Sequence, residues 1–431
     1  DDFVDTWDQI KDLVAMVDMK MEELDKPKMS FFEVLTAMAI WKFADAPVDV
    51  AIVEVGMGGR WDATNVLDAD AAIIGPIDMD HMAWLGNTVE QIASEKVGII
   101  KPGCTAVIGR QPHEEAVMPI IEEAARQNHA NLVRDGIEAE VVTRIPAVGG
   151  QVATLRTPNG TYAEVPIAKF GEHQAHNALA ALCAAEVVIP VNGALDGDLV
   201  AEALSTVRIP GRIEQIRTSP TIILDGGHNV NAAESLRAAI EENYDFQQLV
   251  GVIAMMGDKQ VEEYLGALEP LLSHVVVTEN SWRDRVMPAE DLKTVAERVF
   301  GAERVTCVPE LPDAIQEAVN MVDADDELGV GYGHGVLICG SFTTAGDARL
   351  MLEEKVNPDL KKPKSERVFQ EAVEPEPRKD QDEADLDFES DANPDFDIND
   401  FGSVGPDLAE DEDADASEVE HADAASSEDV R

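Results

Sequence analysis

Glu54 ends the apolar run VDVAIV and opens EVGMGGRWDATN (54–65), where three glycines, an acid and a base follow within a few residues. A carboxylate beside a glycine-rich turn at the end of a buried strand is the arrangement that brings a hard cation and a phosphate together. His81 closes DMDH (78–81), and Lys96 lies in SEKVG. Glu54 and His81 are a candidate Mg²⁺ pair, with coordination positions left for phosphate oxygens. In the second half, Asp225 and His228 share LDGGHN, GDK (257–259) ends another apolar run, and Ser341 ends the last. Taken singly, each has a plainer reading. A lone strand-end Glu is more often a capping or ion-paired acid, a lone loop His is usually hydrogen-bonded, and DGGHN alone could be a helix start.

The elements that must carry these residues alternate. SFFEVLTAMAIWKFA (30–44) has helical spacing behind a Ser30/Glu33 capping-box pattern. Strands are expected at 48–55, 69–77 and 104–109, with helices at 88–100, opened by Thr88, and at 113–128. This βαβα order predicts a parallel sheet covered on both faces. Residues 139–168 alternate around a Pro-Asn-Gly turn and predict a small antiparallel insert. An Ala-rich helix follows at 171–188, then a helix and a Pro-Gly break within 199–216. Strands at 221–229, 249–256, 274–279, 305–310 and 335–341, interleaved with helices, predict a second doubly wound sheet.

The 431 residues carry 33 basic and 85 acidic side chains, a formal charge of −52. Residues 356–431 hold 26 acids and 7 bases, net −19, so the other 355 residues hold −33. Such a surface argues against nucleic acid or an anionic membrane as the main partner, while leaving a local nucleotide site open. The region beyond about Lys355 is Asp/Glu/Pro/Ala/Ser-rich and is expected to be a disordered acidic tail. Four dispersed cysteines without a CxxC pair fit a reducing, cytoplasmic setting. The start, DDFVDTWDQ, lacks the basic segment of a signal peptide.

EVGMGGRWDATN, DMDHMAWLGNTVEQIASEKVGIIKPG, GEHQAHNALAAL, IPGRIEQI, LDGGHNVNAAESL and MMGDKQ occur in this order. Together they resemble the folylpolyglutamate synthases and bifunctional dihydrofolate synthases of the Mur-ligase superfamily, over roughly residues 5–355. The resemblance implies an ATP-dependent ligase that joins L-glutamate to folate, or to dihydropteroate, through an acyl phosphate, and that works as a monomer. It implies that Glu54 and His81 bind Mg²⁺, and that Lys96 is carbamylated and helps hold a second metal. Asn177 and Arg212 would contact the nucleotide. Asp225 and His228 would lie near the nucleotide and the incoming glutamate, and Ser341 would take part in glutamate binding. GGHNV departs from the family's more usual Ala and Pro around the His-Asn pair.

The expected organisation is an incomplete P-loop-type ATPase domain (1–205), a hinge (206–216), a Rossmann-like glutamate-ligase domain (217–355) and the tail (356–431). "Incomplete" refers to GxxxxGK[ST], a family motif that occurs nowhere in the chain. Its lysine, its backbone cradle and one Mg²⁺ ligand would be missing. The reading is therefore of an N-terminally truncated ligase, not active as it stands, with an exposed hydrophobic sheet edge. Two alternatives stay open: a non-catalytic homologue that still binds nucleotide or folate, and another Mur-type amino-acid ligase. DATN and DHMAWLG weigh against the latter.

Overall fold

The computed structural model describes residues 2–46, 48–189, 193–324 and 333–352. Two helices, α1 (Asp2–Glu23) and α2 (Phe31–Asp45), pack on each other through Ile10, Val14 and Met38. The predicted capping box starts α2: Ser30 Oγ accepts from Glu33 N, and the Glu33 carboxylate accepts from Ser30 N.

Next come β1 (Ala71–Ile74), the one-turn helix α3 (Met82–Leu85), α4 (Val89–Lys96), β2 (Thr105–Ile108), α5 (Glu114–Gln127) and β3 (Asn131–Arg134). The three strands form a parallel sheet in the order β1-β2-β3. Ile74, Ala106 and Ile108 meet Ile92 and Ile121 of α4 and α5 in one core cluster. The expected strand at 48–55 is not there. Its apolar residues are extended without strand pairing, and Ile52 is 92% exposed. A strand exists only through its neighbour's hydrogen bonds, and among the described residues nothing pairs with this segment.

The insert is as expected: β4 (Glu140–Ala147), β5 (Gly150–Arg156) and β6 (Thr161–Ile167) form an antiparallel sheet. It shares a core with α6 (Glu172–Val188) and with α7 (Gly197–Thr206), where Leu155, Val165, Leu179 and Val200 meet.

The second half runs β7 (Glu214–Thr218), β8 (Thr221–Leu224), α8 (Val230–Asn243), β9 (Gln248–Ile253), α9 (Val261–Leu268) and β10 (His274–Glu279). It continues with α10 (Ala289–Phe300), β11 (Val305–Glu310), α11 (Leu311–Ala324), β12 (His334–Cys339) and α12 (Phe342–Leu352). The sheet order is β11-β10-β9-β12-β8-β7, parallel except for the antiparallel edge strand β7. Successive side chains of the continuous apolar strands feed opposite faces. Ile223, Ile253 and Leu337 join α8, α9 and α10, while Ile222, Leu224, Val250 and Ile338 join α11 and α12. This is why these strands read as unbroken hydrophobic runs.

β3 and β7 were not foreseen, and the strand expected at 221–229 stops at Leu224, leaving DGGHN as a loop. No described helix is long and apolar enough to cross a membrane. The expected tail, 356–431, lies outside the described residues.

Candidate active site

Chemistry in an open α/β sheet collects beyond the carboxyl ends of its strands. Beyond β8 stands Asp225, buried, with Oδ1 accepting from Gly227 N (2.7 Å) and Oδ2 from Ile213 N (3.0 Å). Gly226 N donates to Gly211 O at 2.7 Å. Asp225 therefore fastens the predicted hinge segment to the sheet. Burial pushes its carboxyl pKa up, against the two N–H donors and the charges of Arg212 and His228. The Arg212 guanidinium lies 4.1 Å from the Phe342 ring centroid, and the His228 ring approaches the same Phe from 6.2 Å.

The two halves of the chain meet at Asp80. Its Oδ1 accepts from Lys259 Nζ at 2.7 Å, and Oδ2 accepts from Asn229 Nδ2 at 3.3 Å. His228 Nε2 stands 3.7 Å and His81 Nε2 3.9 Å from Oδ2. Burial alone would raise the Asp80 pKa. His228, Lys259 and the charge of His81 outweigh that and hold it far below the carboxylate range. Asn229 also caps α8, its Oδ1 accepting from Ala232 N at 2.9 Å, so one side chain both starts that helix and reaches across to Asp80.

His81 sits in the left-handed region (φ 51°). Burial pulls its pKa down, and the charges of Lys259, His228 and Lys96 add to this against Asp80, which favours the neutral, ligating ring. Lys96, in the last turn of α4, is half-buried, and its amine has no hydrogen bond or ion pair among the described residues. Burial lowers its pKa, with Asp80 opposing. A buried amine that gives up its proton more readily suits the nucleophilic form that carbamylation needs. GMGGR packs on this same turn. A Cβ at Gly59 would stand 2.8 Å from both the Glu95 and Lys96 carbonyl oxygens, and Arg60 N donates to Glu95 O at 2.9 Å. Glu54 is exposed and has no hydrogen bond or ion pair among the described residues.

The structure brings His81 and Lys96 into one electrostatic neighbourhood with Asp80, while Glu54 makes no hydrogen bond or ion pair with either among the described residues; the residue types, a carboxylate, an imidazole and an amine, suit Mg²⁺. A group of three or more His, Cys, Asp or Glu poised around one point is absent among the described residues. Mg²⁺ does not require one, since it keeps waters and phosphate oxygens as ligands.

Two candidates lie apart from this group. Asn177 is exposed on α6, with Nδ2 3.3 Å from Gln174 Oε1. Ser341 is buried, and its hydroxyl is committed internally: it accepts from Thr344 N (3.0 Å) and Asn280 Nδ2 (3.2 Å) and lies 2.8 Å from Thr344 Oγ1. Sequence reasoning missed the roles of Asp80, Asn229 and Lys259, although DMDH and GDK were noted as polar strand ends. It also missed His173, whose pKa burial and the Arg212 charge lower to about 4.

A cavity of about 1200 Å³ opens beside GMGGR. Phe32, Trp61, Trp84 and Trp282 line it with Asp62 and Arg285, and Arg285 stacks on Trp282 at 4.8 Å. Asp62 organises the wall: its carboxylate accepts from Met57 N (2.8 Å), Thr64 N (3.0 Å) and Thr64 Oγ1 (2.6 Å).

Residues 8–185 match the Mur ligase middle domain, and residues 211–342 match the Mur ligase glutamate ligase domain. That defines the class, amide-forming ligases built on two such domains. Within it, the chain is 43% identical over 365 residues to the dihydrofolate synthase/folylpolyglutamate synthase of Mycobacterium tuberculosis, covering 81% of this chain and 74% of that protein. The Escherichia coli protein of the same name is 32% identical over 330 residues, covering 76% and 70%. The M. tuberculosis folylpolyglutamate synthase structure complexed with ADP and AMPPCP superposes with a TM-score of 0.77, covering 82% of this chain and 79% of that one. The Thermotoga maritima folylpolyglutamate synthase structure gives 0.65 at 28% identity, covering 83% and 77%. The chain belongs to the dihydrofolate synthase/folylpolyglutamate synthase family.

Proposed function

We infer that the protein is an ATP-dependent, Mg²⁺-requiring ligase that adds L-glutamate to a folate. Apart from the family match, one observation carries the reading. The glycine loop that lines the aromatic cavity is the loop that rests on the turn bearing Lys96. A flat heteroaromatic ring among Phe32, Trp61 and Trp84, in a wall that Asp62 holds together, would thereby have a fixed relation to the phosphoryl-transfer residues.

A carboxylate resists attack by an amine. ATP, when bound, converts it to an acyl phosphate; the glutamate nitrogen then forms the C–N bond, the C–O bond breaks and phosphate leaves. The protein's part is to position and to neutralise charge. Glu54, His81 and carbamylated Lys96 would hold Mg²⁺. Arg212, kept flat by Phe342, would offer its planar donors to phosphate oxygens, with Asn177 at the nucleotide. His228, beside Asp80, would face the nucleotide and the incoming glutamate. Asp225 holds the hinge against the sheet, and Ser341, directly before α12, would orient the glutamate site through its backbone. We propose that 1–205 and 217–355 close about 206–216 to exclude water from the acyl phosphate. The same reading puts the enzyme in the cytoplasm, where its four free cysteines would stay reduced.

The test is phosphate release dependent on both folate and glutamate, measured on protein made from the whole reading frame. Turnover lost in Glu54→Ala and His81→Ala, with folding retained, is the expected result. Phosphate release indifferent to folate, or an untouched rate in both variants, would sink the reading.

A further inference from the structure

On this acidic chain the described arginines are paired with carboxylates almost throughout, from Arg60 with Glu95 to Arg349 with Glu214. The exceptions among the described residues are Arg208, Arg212 and Arg217, all within ten positions at the junction of the two halves. Arg212 turns toward Phe342 and belongs to the site already described. Arg208 and Arg217 instead line a second cavity, of about 710 Å³, together with Lys169.

Lys169 comes from the end of the insert, just past β6. Its Nζ donates to Ile209 O at 3.2 Å and has no ion pair among the described residues. The cavity's carboxylate, Glu214, is already engaged. One oxygen accepts from Gly211 N at 2.8 Å and the other from Arg349 Nε at 3.2 Å. Lys169, Arg208 and Arg217 thus line one concavity with a single carboxylate, Glu214, that is shared with Arg349, so positive charge is in excess there on a protein whose formal charge is −52. Unneutralised like charges held together cost free energy unless an anion joins them. Burial also lowers the Lys169 pKa, so an arriving anion would restore the charge of a partly desolvated amine.

We propose that this hinge cavity is an oligoanion-binding site in which Lys169, Arg208 and Arg217 hold carboxylate or phosphate oxygens. Multiple acidic groups on one small flexible molecule match three cations around a cavity of this size better than a single anion does. Two sources have that chemistry: a γ-linked oligoglutamyl chain, the kind of tail that the proposed reaction extends, and a free polyphosphate. Lys169 belongs to the first half, whereas Arg208 lies in the hinge segment and Arg217 directly follows it, so a bound oligoanion would tie the first half to the hinge. The site stands or falls on binding without turnover, so its failure is separable from failure of the ligase reading.

The experiment is calorimetric titration of the full protein with tetra-γ-glutamate and, separately, with tripolyphosphate, at low and moderate salt. The comparison protein carries Lys169→Gln, Arg208→Gln and Arg217→Gln together. A further variant, Arg217→Lys, keeps the charge. Binding of either probe that weakens about tenfold or more in the triple variant, persists in Arg217→Lys and falls with salt supports the site. The probe that binds identifies the source. If neither probe binds the parent protein, or if the triple variant binds as tightly with an unchanged melting temperature, the proposal is overturned.

Discussion

Replacing Asp80 with alanine removes the acceptor at the meeting point of the two halves and leaves Lys259, only 9% exposed, without its counter-charge. At 2.7 Å the direct attraction is about 6 kcal/mol for an effective dielectric constant of about 20. Most of that is offset by desolvation of both groups. Breaking such a pair from one side still costs about 3 kcal/mol, because the surviving charge stays buried. In melting temperature this is a fall of roughly 6–12 °C, at about 2–4 °C per kcal/mol. Lys259→Met should cost less, since Asn229 and His228 still face Asp80. The double variant should recover part of the loss, with a coupling energy of about 2 kcal/mol measured by thermal and urea denaturation of all four proteins. A coupling below about 0.5 kcal/mol would refute the claim that this ion pair joins the halves. Acid supplies a second check. The folded-state pKa of Asp80 is depressed, so its contribution is present above the ordinary carboxylate value near 3.8 and is lost as pH falls below that toward the folded value. The parent should therefore lose stability more steeply below about pH 4 than Asp80→Asn does.

Arg212→Lys retains the charge but not the plane stacked on Phe342, and should lower kcat/KM about tenfold, consistent with roughly 1–2 kcal/mol for a partly desolvated cation–π contact, read in the phosphate-release assay. Lys96→Arg, which cannot be carbamylated, should abolish turnover while leaving the melting temperature within a few degrees. ¹³C-bicarbonate should give a carbamate NMR signal in the parent that this variant lacks. Tyr162→Phe should destabilise by about 2 kcal/mol, because its buried hydroxyl donates to Glu186 Oε1 at 2.6 Å and accepts from Leu195 N at 2.7 Å. Its activity per folded molecule should be unchanged. Trp84→Ala should raise KM for the folate several-fold with little change in KM for ATP; equal effects on both would detach the aromatic cavity from folate binding.

What was legible in the sequence was what is local. Ser30 with Glu33, and Thr88 ahead of Gln91, announce helix starts because each cap spans three residues. The continuous apolar strands of the second half were found because burial on both faces leaves no polar alternation to confuse them. β7 was missed because EQIRT, at an antiparallel edge and largely exposed, carries neither pattern. VDVAIV misled for the opposite reason: its composition is that of a buried strand, yet pairing is a property of neighbours. The motif residues were visible, but how they are used was not. Asp80 and Lys259 are 179 residues apart, and Ser341, expected to take part in glutamate binding, has its hydroxyl engaged by Asn280 and Thr344 inside the protein. Of the arginines near the hinge only Arg212 stood out, because it lies inside IPGRIEQI; Arg208 and Arg217, just outside that motif, share a cavity that only the fold reveals.

The free edge of β1 has a colloidal consequence. Among the described residues its outer edge pairs with no strand, and the segment before it in sequence exposes Val50, Ile52 and Val53. Such an edge invites another copy to add a strand. With a formal charge of −52, copies repel one another before those edges can meet. That repulsion acts over about 10 Å at 0.1 M salt and about 3 Å at 1 M. The protein should therefore remain dispersed in dilute buffer and self-associate through this edge as salt is raised or as the carboxylates are neutralised by acid.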